Sequence, residues 1–185
     1  MTTPRNVAVI IGSLRRESLN RKVAEAVIKL APDALKCEVI EIGQLPLYNQ
    51  DHESEPPPAV RDFKAHVARM DSVLFFTPEY NRSVPGVLKN ALDIGSRPYG
   101  KSSWNGKHAA IVSVSPGALG GFGANHHLRQ SLVFLNMPTM GQPEAYIGNA
   151  AELFEPNGSF KTATRELMQK FIDGFNAFSQ RNAQI

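Results

Sequence analysis

The sequence predicts an α/β fold, a doubly wound parallel sheet with helices on both faces. Three observations predict it. Strand-like and helix-like segments alternate from end to end, the clearest strands are continuous apolar runs, and no linker or composition break divides the 185 residues. A strand that is apolar throughout is typical of a sheet covered on both faces. We therefore expect one domain over residues 1–185.

The first half of the chain supplies three predicted strands and two helices. Residues 7–11 are the first apolar run, and residues 20–31 follow as a helix because apolar side chains recur there at helical spacing. Residues 37–42 are the second predicted strand. A second helix opens at the prolines 56–58, and residues 72–77 form the third strand.

The second half repeats this alternation. Pro85 fits the first turn of the third helix, where a missing N–H costs nothing. Residues 109–115 are the fourth predicted strand, and a glycine-rich turn leads from it into the fourth helix. Residues 139–147 are predicted as the fifth strand, although a glycine and a proline weaken it. A stripe of apolar residues over 167–178 predicts the last helix.

Composition narrows the classes of function. The net charge of +3 comes without a basic stripe, so nucleic acid is not an expected partner. The single cysteine, Cys37, lies in a predicted strand and is expected to be a packed thiol rather than a redox centre. The chain shows no signal-peptide pattern and no membrane-length apolar run, so no membrane span is expected and the cytoplasm is the expected location.

Three loops are candidate ligand-binding segments. Ligands of doubly wound sheets bind outside the carboxyl ends of the strands. The loops that follow the first, third and fourth predicted strands are residues 12–20, 78–85 and 115–123, and all three are rich in Gly, Pro, Ser and Asn. Their convergence at one edge of the sheet predicts a binding site there.

The first loop has the chemistry of a phosphate socket. Ser13 and Ser18 offer hydroxyls, Asn20 an amide and Arg15 or Arg16 a guanidinium, just where a helix N-terminus presents free N–H groups. These groups suit a terminal phosphate monoester, and the loop matches neither the dinucleotide fingerprint nor the Walker motif. The alternative is a polar turn in which Ser18 only caps the helix.

The other two loops suit a flat ring. Two prolines stiffen residues 77–86, where Glu79, Tyr80 and Asn81 can face a planar heterocycle, and the glycines of residues 115–123 allow its close approach. The alternative for both loops is an ordinary turn without a ligand.

Three motifs together resemble the NADPH-dependent FMN reductase family, and within it the bacterial chromate and quinone reductases. They are Gly-Ser-Leu-Arg-x-x-Ser-x-Asn at 12–20, Pro-Glu-Tyr-Asn-x-Ser-x-Pro-Gly at 78–86 and His-Leu-Arg-Gln at 127–130. The resemblance covers nearly the whole chain. It implies a flavodoxin-like five-stranded sheet with strand order 2-1-3-4-5, and FMN bound across the three loops.

The resemblance also implies site residues and an activity. By motif match, the residues that hold the phosphate, line the isoalloxazine ring and flank it are, in chain order, Ser13, Arg15, Ser18, Asn20, Pro78, Glu79, Tyr80, Asn81, Ser115 and Gly117. The implied enzyme moves hydride from NADPH or NADH through FMN to quinones, flavins, ferric complexes or chromate with ping-pong kinetics. The flavin carries the chemistry, so no catalytic side chain and no metal are expected. A homodimer or homotetramer is implied.

Other interpretations stay open at this point. An FMN-binding electron carrier without reductase activity would share the fold, but such carriers tend to be acidic. A phosphate-binding hydrolase would need a base or metal constellation that the sequence does not offer. Arg97 and Lys101 are hypothesised to attract an anion, such as the 2′-phosphate of NADPH or an oxyanion acceptor, and the alternative is solvated surface charge.

Three further residues invite structural hypotheses. Trp104, the lone tryptophan, is expected either to cover the active site or to fill a subunit contact. His126 and His127 are adjacent, point about 100° apart on a helix and are expected to pack or to lie in an interface rather than to bind metal. Arg82 and Glu144 are further candidates for intersubunit contacts.

Overall fold

A computed structural model describes residues 4–181, and its centre is a five-stranded sheet. The strands are β1 (Arg5–Ile11), β2 (Leu35–Val39), β3 (Ser72–Thr77), β4 (His108–Val114) and β5 (Ala145–Ile147). Their order is β2-β1-β3-β4-β5 and every neighbouring pair is parallel, which confirms the predicted topology. The ends of the predicted domain, residues 1–3 and 182–185, lie outside the described residues.

Five helices cover the two faces of this sheet. They are α1 (Leu19–Ile28), α2 (Pro58–Ala68), α3 (Gly86–Gly95), α4 (Phe122–Phe134) and α5 (Thr162–Ser179). One apolar core joins α1 and α5 to the sheet, and the other joins α2, α3 and α4 to it. Successive residues of β1 point into opposite cores, so the strand is apolar throughout. Within residues 4–181, no helix has the length and apolar character needed to cross a membrane.

Two predicted strands differ from the structure. The second strand spans Leu35–Val39 rather than residues 37–42, so it begins two residues earlier and the chain leaves the sheet at Ile40. The fifth spans only Ala145–Ile147 rather than residues 139–147. Thr139 pairs alone with Ala109, and the chain then leaves the sheet until residue 145. A proline at 143 cannot donate to a strand ladder, and this accounts for the gap.

Trp104 belongs to the core, so both expectations for it were wrong. Its side chain is fully buried although the residue lies in the loop after α3. The centroid of its ring is 5.9 Å from that of Phe63 and 6.1 Å from that of Phe75. Its Nε1 donates a 3.0 Å hydrogen bond to the carbonyl oxygen of Leu92. The indole lies against the backbone of Gly95, where a Cβ would meet its Cε2 atom at 2.5 Å. A glycine at the end of α3 therefore makes room for the largest side chain of this core.

The indole contact predicts a sharp difference between two glycines of α3. Gly95→Ala is expected to lower the free energy of unfolding by about 1–3 kcal/mol, because the new methyl group overlaps a rigid buried ring. Gly86→Ala at the other end of the helix is the control, since nothing lies within 4 Å of its Cβ position. It is expected to be neutral or to stabilise by about 0.5–1 kcal/mol. Urea unfolding measures both, and equal effects would contradict this packing.

Candidate cofactor site

The three polar loops meet in one cavity at the carboxyl edge of the sheet. The cavity has a volume of about 220 Å³ and opens to solvent. The loops after β1, β3 and β4 line it with Ser13, Arg15, Ser18, Leu19, Asn20, Pro78, Glu79, Tyr80, Val114, Ser115 and Pro116. Ligand sites of this fold occupy this position.

The loop after β1 starts as an extension of the sheet and ends as a helix cap. The backbone N–H of Gly12 donates to the carbonyl oxygen of Phe76 at 2.8 Å, so the loop leaves β1 beside the end of β3. Ser18 is the N-cap of α1, and its Oγ accepts from the backbone N–H of Arg21 at 3.1 Å. The capping alternative is therefore correct in part. The hydroxyl proton of Ser18 takes no part in that bond and stays available to a ligand.

Two polar side chains in this loop are buried without partners. Ser13 is 6% exposed and Asn20 is 4% exposed, yet neither side chain makes a hydrogen bond to any group within residues 4–181. The Oδ1 atom of Asn20 is wholly buried and unsatisfied. The donors of these two side chains, the Ser13 hydroxyl and the Asn20 amide N–H groups, lie beside the cavity, where a ligand that accepts hydrogen bonds can meet them.

The electrostatics of the loop favour an anion. No acidic residue lies in the first turn of α1, whose free N–H groups carry the positive end of the helix dipole. Arg15 lines the cavity and makes no ion pair with any described residue. Glu17, the nearest acid in the sequence, lies 3.5 Å from Lys22. Hydroxyls, an amide, a guanidinium and a helix N-terminus fit a phosphate ester.

The loop after β3 contains a two-residue hairpin turn. Tyr80 and Ser83 exchange backbone hydrogen bonds of 3.0 and 2.9 Å. Between them, Asn81 and Arg82 both have left-handed backbones, with φ of 51° and 63°. Tight hairpin turns require such conformations at both central positions, and asparagine tolerates them well. Tyr80 is 51% exposed at the mouth of the cavity, while Asn81 lies at the turn and does not line it.

The loop after β4 folds back on itself. The Oγ of Ser115 accepts from the backbone N–H of Gly117 at 3.0 Å. Gly120 has a φ of 60°, and a Cβ there would meet the backbone carbon of Tyr146 at 2.6 Å. Only glycine fits this close approach. Gly117 shapes the loop and does not line the cavity.

The two cations predicted to attract an anion lie apart from this cavity. Arg97 lines a second, smaller cleft of about 50 Å³ between residues 46–57 and the end of α3, with its guanidinium 6.0 Å from the ring centroid of Tyr48. Lys64 lines the same cleft, and burial lowers its pKa. Lys101 lines neither cavity, and its charge reinforces this lowering of the pKa of Lys64.

Sequence reasoning missed three residues that line the cofactor cavity. Leu19, Val114 and Pro116 are neighbours in sequence of predicted site residues. Leu19 and Pro116 lie inside the predicted loops 12–20 and 115–123, so their position in these loops was the signal that could have identified them. Val114 ends a buried strand and gave no polar signal.

The two histidines contact partners on different elements, the loop after β3 and strand β5. His127 Nδ1 lies 2.7 Å from Ser83 Oγ, and His126 Nε2 lies 2.9 Å from the Tyr146 hydroxyl. That hydroxyl donates to Glu144 at 2.6 Å, and burial together with this bond raises the pKa of Tyr146 to about 12. Among the described residues, no group of three or more His, Cys, Asp or Glu side chains could hold a metal ion.

Fold and cavity together define a class of protein. A flavodoxin-like sheet carries, at the carboxyl ends of its strands, one cavity that the loops after β1, β3 and β4 line together, and the first of these loops holds donors suited to an anionic ester. Burial raises the pKa of Cys37 to about 11, so this thiol on the edge strand is not a reactive group of the site.

Comparison with known proteins identifies the family. Residues 5–152 match the family model of NADPH-dependent FMN reductases. A quinone reductase of Pseudomonas putida is 59% identical over 181 residues, which are 97% of this chain and 97% of that protein. A 2-hydroxy-1,4-benzoquinone reductase of a Burkholderia species is 46% identical over 173 residues, 93% of this chain and 94% of the relative.

A solved structure shares both fold and sequence. The flavoenzyme NAD(P)H:acceptor oxidoreductase FerB of Paracoccus denitrificans superposes with a TM-score of 0.90 at 41% identity, covering 95% of this chain and 97% of its own. This protein therefore belongs to the NADPH-dependent FMN reductase family, as its three motifs predicted. Family membership makes it a flavin oxidoreductase that uses FMN and NAD(P)H.

The Asn20 side chain, which has no partner within residues 4–181, predicts a variant that loses FMN affinity without losing stability. Asn20→Ala is expected to weaken FMN binding about tenfold, because one hydrogen bond to a charged group is lost, while the unfolding free energy without FMN does not fall. Asn125 is the matched control, a fully buried asparagine bonded to Ser113 and Arg129. Asn125→Ala is expected to destabilise the fold by about 1–3 kcal/mol.

Fluorescence quenching of FMN and urea unfolding without FMN measure the two quantities. The interpretation fails if Asn20→Ala destabilises the FMN-free protein as much as Asn125→Ala does, or if it leaves FMN affinity unchanged.

Proposed function

We propose that this oxidoreductase reduces quinones with NAD(P)H as the donor, and that FMN is held in the cavity between the three loops. The observation that carries the proposal is the pair of buried, unpartnered side chains, Ser13 and Asn20, at the start of α1. Both side chains line the cavity between the three loops, and the hairpin turn that carries Tyr80 lines another side of it.

The proposed phosphate contacts follow from the donors that remain free. The hydroxyls of Ser13 and Ser18 and the amide of Asn20 each have a hydrogen to donate, and Arg15 supplies positive charge. Charge-assisted hydrogen bonds are the strong ones, so a doubly charged ester is held more firmly than a neutral alcohol.

The flat ring is proposed to lie against the loops after β3 and β4. The backbone of residues 78–81 is proposed to supply the N–H and C=O groups that face the edge of the heterocycle. Ser115 and Gly117 are proposed only to flank the ring, because their own N–H groups already donate to Ile147 and to the Ser115 hydroxyl. When bound, FMN supplies the redox chemistry by taking two electrons from NAD(P)H and giving them to the acceptor. The side chains bind and orient, and no side-chain nucleophile is needed.

Exposed apolar side chains in and after the loops that follow β3 and β4 support an apolar acceptor. Tyr80, Leu119 and Phe122 are 51%, 65% and 53% exposed, and all belong to the loops after β3 and β4 or to the helix start that follows. A quinone is flat and apolar, which suits such surroundings. The names of the relatives from Pseudomonas putida and a Burkholderia species support quinones as substrates. Chromate, ferric complexes and free flavins are proposed as further acceptors.

A homodimer or homotetramer in the cytoplasm completes the proposal. Several large apolar side chains stand in solvent, above all Leu47, Tyr99, Val133 and Phe134. Apolar exposure of this kind is typical of a surface that associates. The cytoplasm is proposed because it holds the nicotinamide donors.

The proposed reaction has a direct test. Purified protein loaded with FMN is expected to lose its yellow colour on anaerobic addition of NADPH and to regain it when a benzoquinone is added. Steady-state rates with both substrates varied are expected to give parallel lines, because the two substrates are proposed to use the same site in turn. Protein that binds FMN but keeps its colour with NADPH and NADH would instead be an electron carrier.

The hypothesis that Arg97 and Lys101 attract the 2′-phosphate of NADPH predicts a difference between the two donors. Arg97→Ala combined with Lys101→Ala is expected to raise the KM for NADPH about three- to tenfold and to leave the KM for NADH unchanged, because only NADPH carries a 2′-phosphate. Arg165→Ala combined with Lys170→Ala removes the same charge from the exposed face of α5 and is the control. Equal effects on both donors would refute the hypothesis.

A further inference from the structure

The helix that follows the loop after β4 begins without a local cap. The N-cap position of α4 is Gly121, which has a left-handed backbone and no side chain that can accept a hydrogen bond. A helix start needs acceptors for its first N–H groups. The N–H of Phe122 reaches the carbonyl of Leu119 at 3.2 Å, and the N–H of Ala124 donates at 3.0 Å to Oε2 of Glu79. The cap of α4 therefore comes from the loop after β3.

Glu79 is well placed for this role. Its side chain is only 15% exposed, and its other oxygen, Oε1, lies 3.2 Å from Nη1 of Arg82. A carboxylate at a helix N-terminus is favoured by the helix dipole, and hydrogen bonds to an ionised acceptor are the strong kind. Both contacts use oxygens of the Glu79 side chain as acceptors, and the contact to Ala124 requires only an oxygen at the Oε2 position.

The packing around this carboxylate leaves no spare room. A Cβ on Gly123 would meet Glu79 Oε2 at 2.9 Å and the carbonyl oxygen of Arg82 at 3.1 Å. The first turn of α4 thus lies directly against the hairpin turn. One helical turn further along, His127 Nδ1 lies 2.7 Å from Ser83 Oγ and makes a second link between the same two elements.

We propose that Glu79 is a positioning residue for the cofactor site. Its carboxylate ties the loop after β3 to the start of α4, and so fixes the distance between the two loops that flank the flavin ring. This inference rests on the proposed placement of FMN. It assigns the Glu79 side chain a role as hydrogen-bond acceptor in a link between loops, so it neither donates a proton in the reaction nor binds the ring directly.

Four variants separate the elements of this link. Glu79→Ala removes the acceptor, and Glu79→Gln keeps an oxygen for Ala124 but loses the charge. Arg82→Gln removes only the ion pair, in which Arg82 is 76% exposed. Gly123→Ala keeps the carboxylate but pushes it away from the helix. The readouts are the visible circular dichroism of FMN at saturation, the FMN dissociation constant and the melting temperature without FMN.

The expected pattern is specific. Glu79→Ala and Gly123→Ala change the dichroism of bound FMN and weaken its binding about tenfold. Glu79→Gln keeps the wild-type spectrum, and its FMN dissociation constant stays within about threefold of the wild-type value. Arg82→Gln stays close to wild type in both readouts because an exposed ion pair contributes little.

Three results would overturn the proposal. Glu79→Ala could leave spectrum and affinity unchanged, or it could lower only the melting temperature, which would make the link merely structural. Glu79→Gln could behave like Glu79→Ala, which would mean that charge rather than the hydrogen bond is required. Failure of the wild-type protein to bind FMN is a different result, since it refutes the proposed function itself. Should Glu79→Ala not fold, Glu79→Gln, Gly123→Ala and Arg82→Gln still decide the question.

Discussion

The proposed site depends on one feature of the fold. Two polar side chains that are buried in the turn before α1 and in its first residues have no hydrogen-bond partner within residues 4–181. β1 is apolar and covered on both faces, so the chain reaches the surface after β1 through a short polar turn. That turn caps α1 through Ser18 but leaves Ser13 and Asn20 unsatisfied. The donors left free are the hydroxyls of Ser13 and Ser18 and the amide N–H groups of Asn20, and the oxygens of a phosphate ester are acceptors that fit them. Folding therefore positions these side chains before a ligand binds.

The other two loops are held by contacts that the first loop does not make. The hairpin at Asn81 and Arg82 is tied to α4 through Glu79 and Ser83, and the glycine-rich turn is tied to the end of β5. Parallel strand order alone brings the loops to the same edge of the sheet, but it does not set their spacing. Side chains that link one loop to the next element set it. The core beneath, filled by Trp104 against α3, provides the rigid base for these contacts.

The sequence predicted the strand order and the three loops because periodicity and loop composition are local signals. It failed where tertiary packing decides. Trp104 lies in a loop and gave no sign that it would be buried, since burial there depends on Gly95 in another element. The fifth strand was predicted too long because its pairing with β4 is interrupted. The contact from Glu79 to Ala124 spans 45 residues and has no pattern in the sequence. The hypothesis that Arg97 attracts an anionic substrate group stays a prediction, and the structure places Arg97 in a cleft separate from the cofactor cavity.

The central claim is that the turn from β1 into α1 grips a charged ester, and comparing two flavins tests it most directly. Isothermal titration calorimetry of the flavin-free protein with FMN and with riboflavin measures the contribution of the phosphate, because the two ligands differ only there. The account predicts that FMN binds at least about 100-fold more tightly, since losing two charge-assisted hydrogen bonds removes about 3 kcal/mol. Equal dissociation constants for FMN and riboflavin would contradict it.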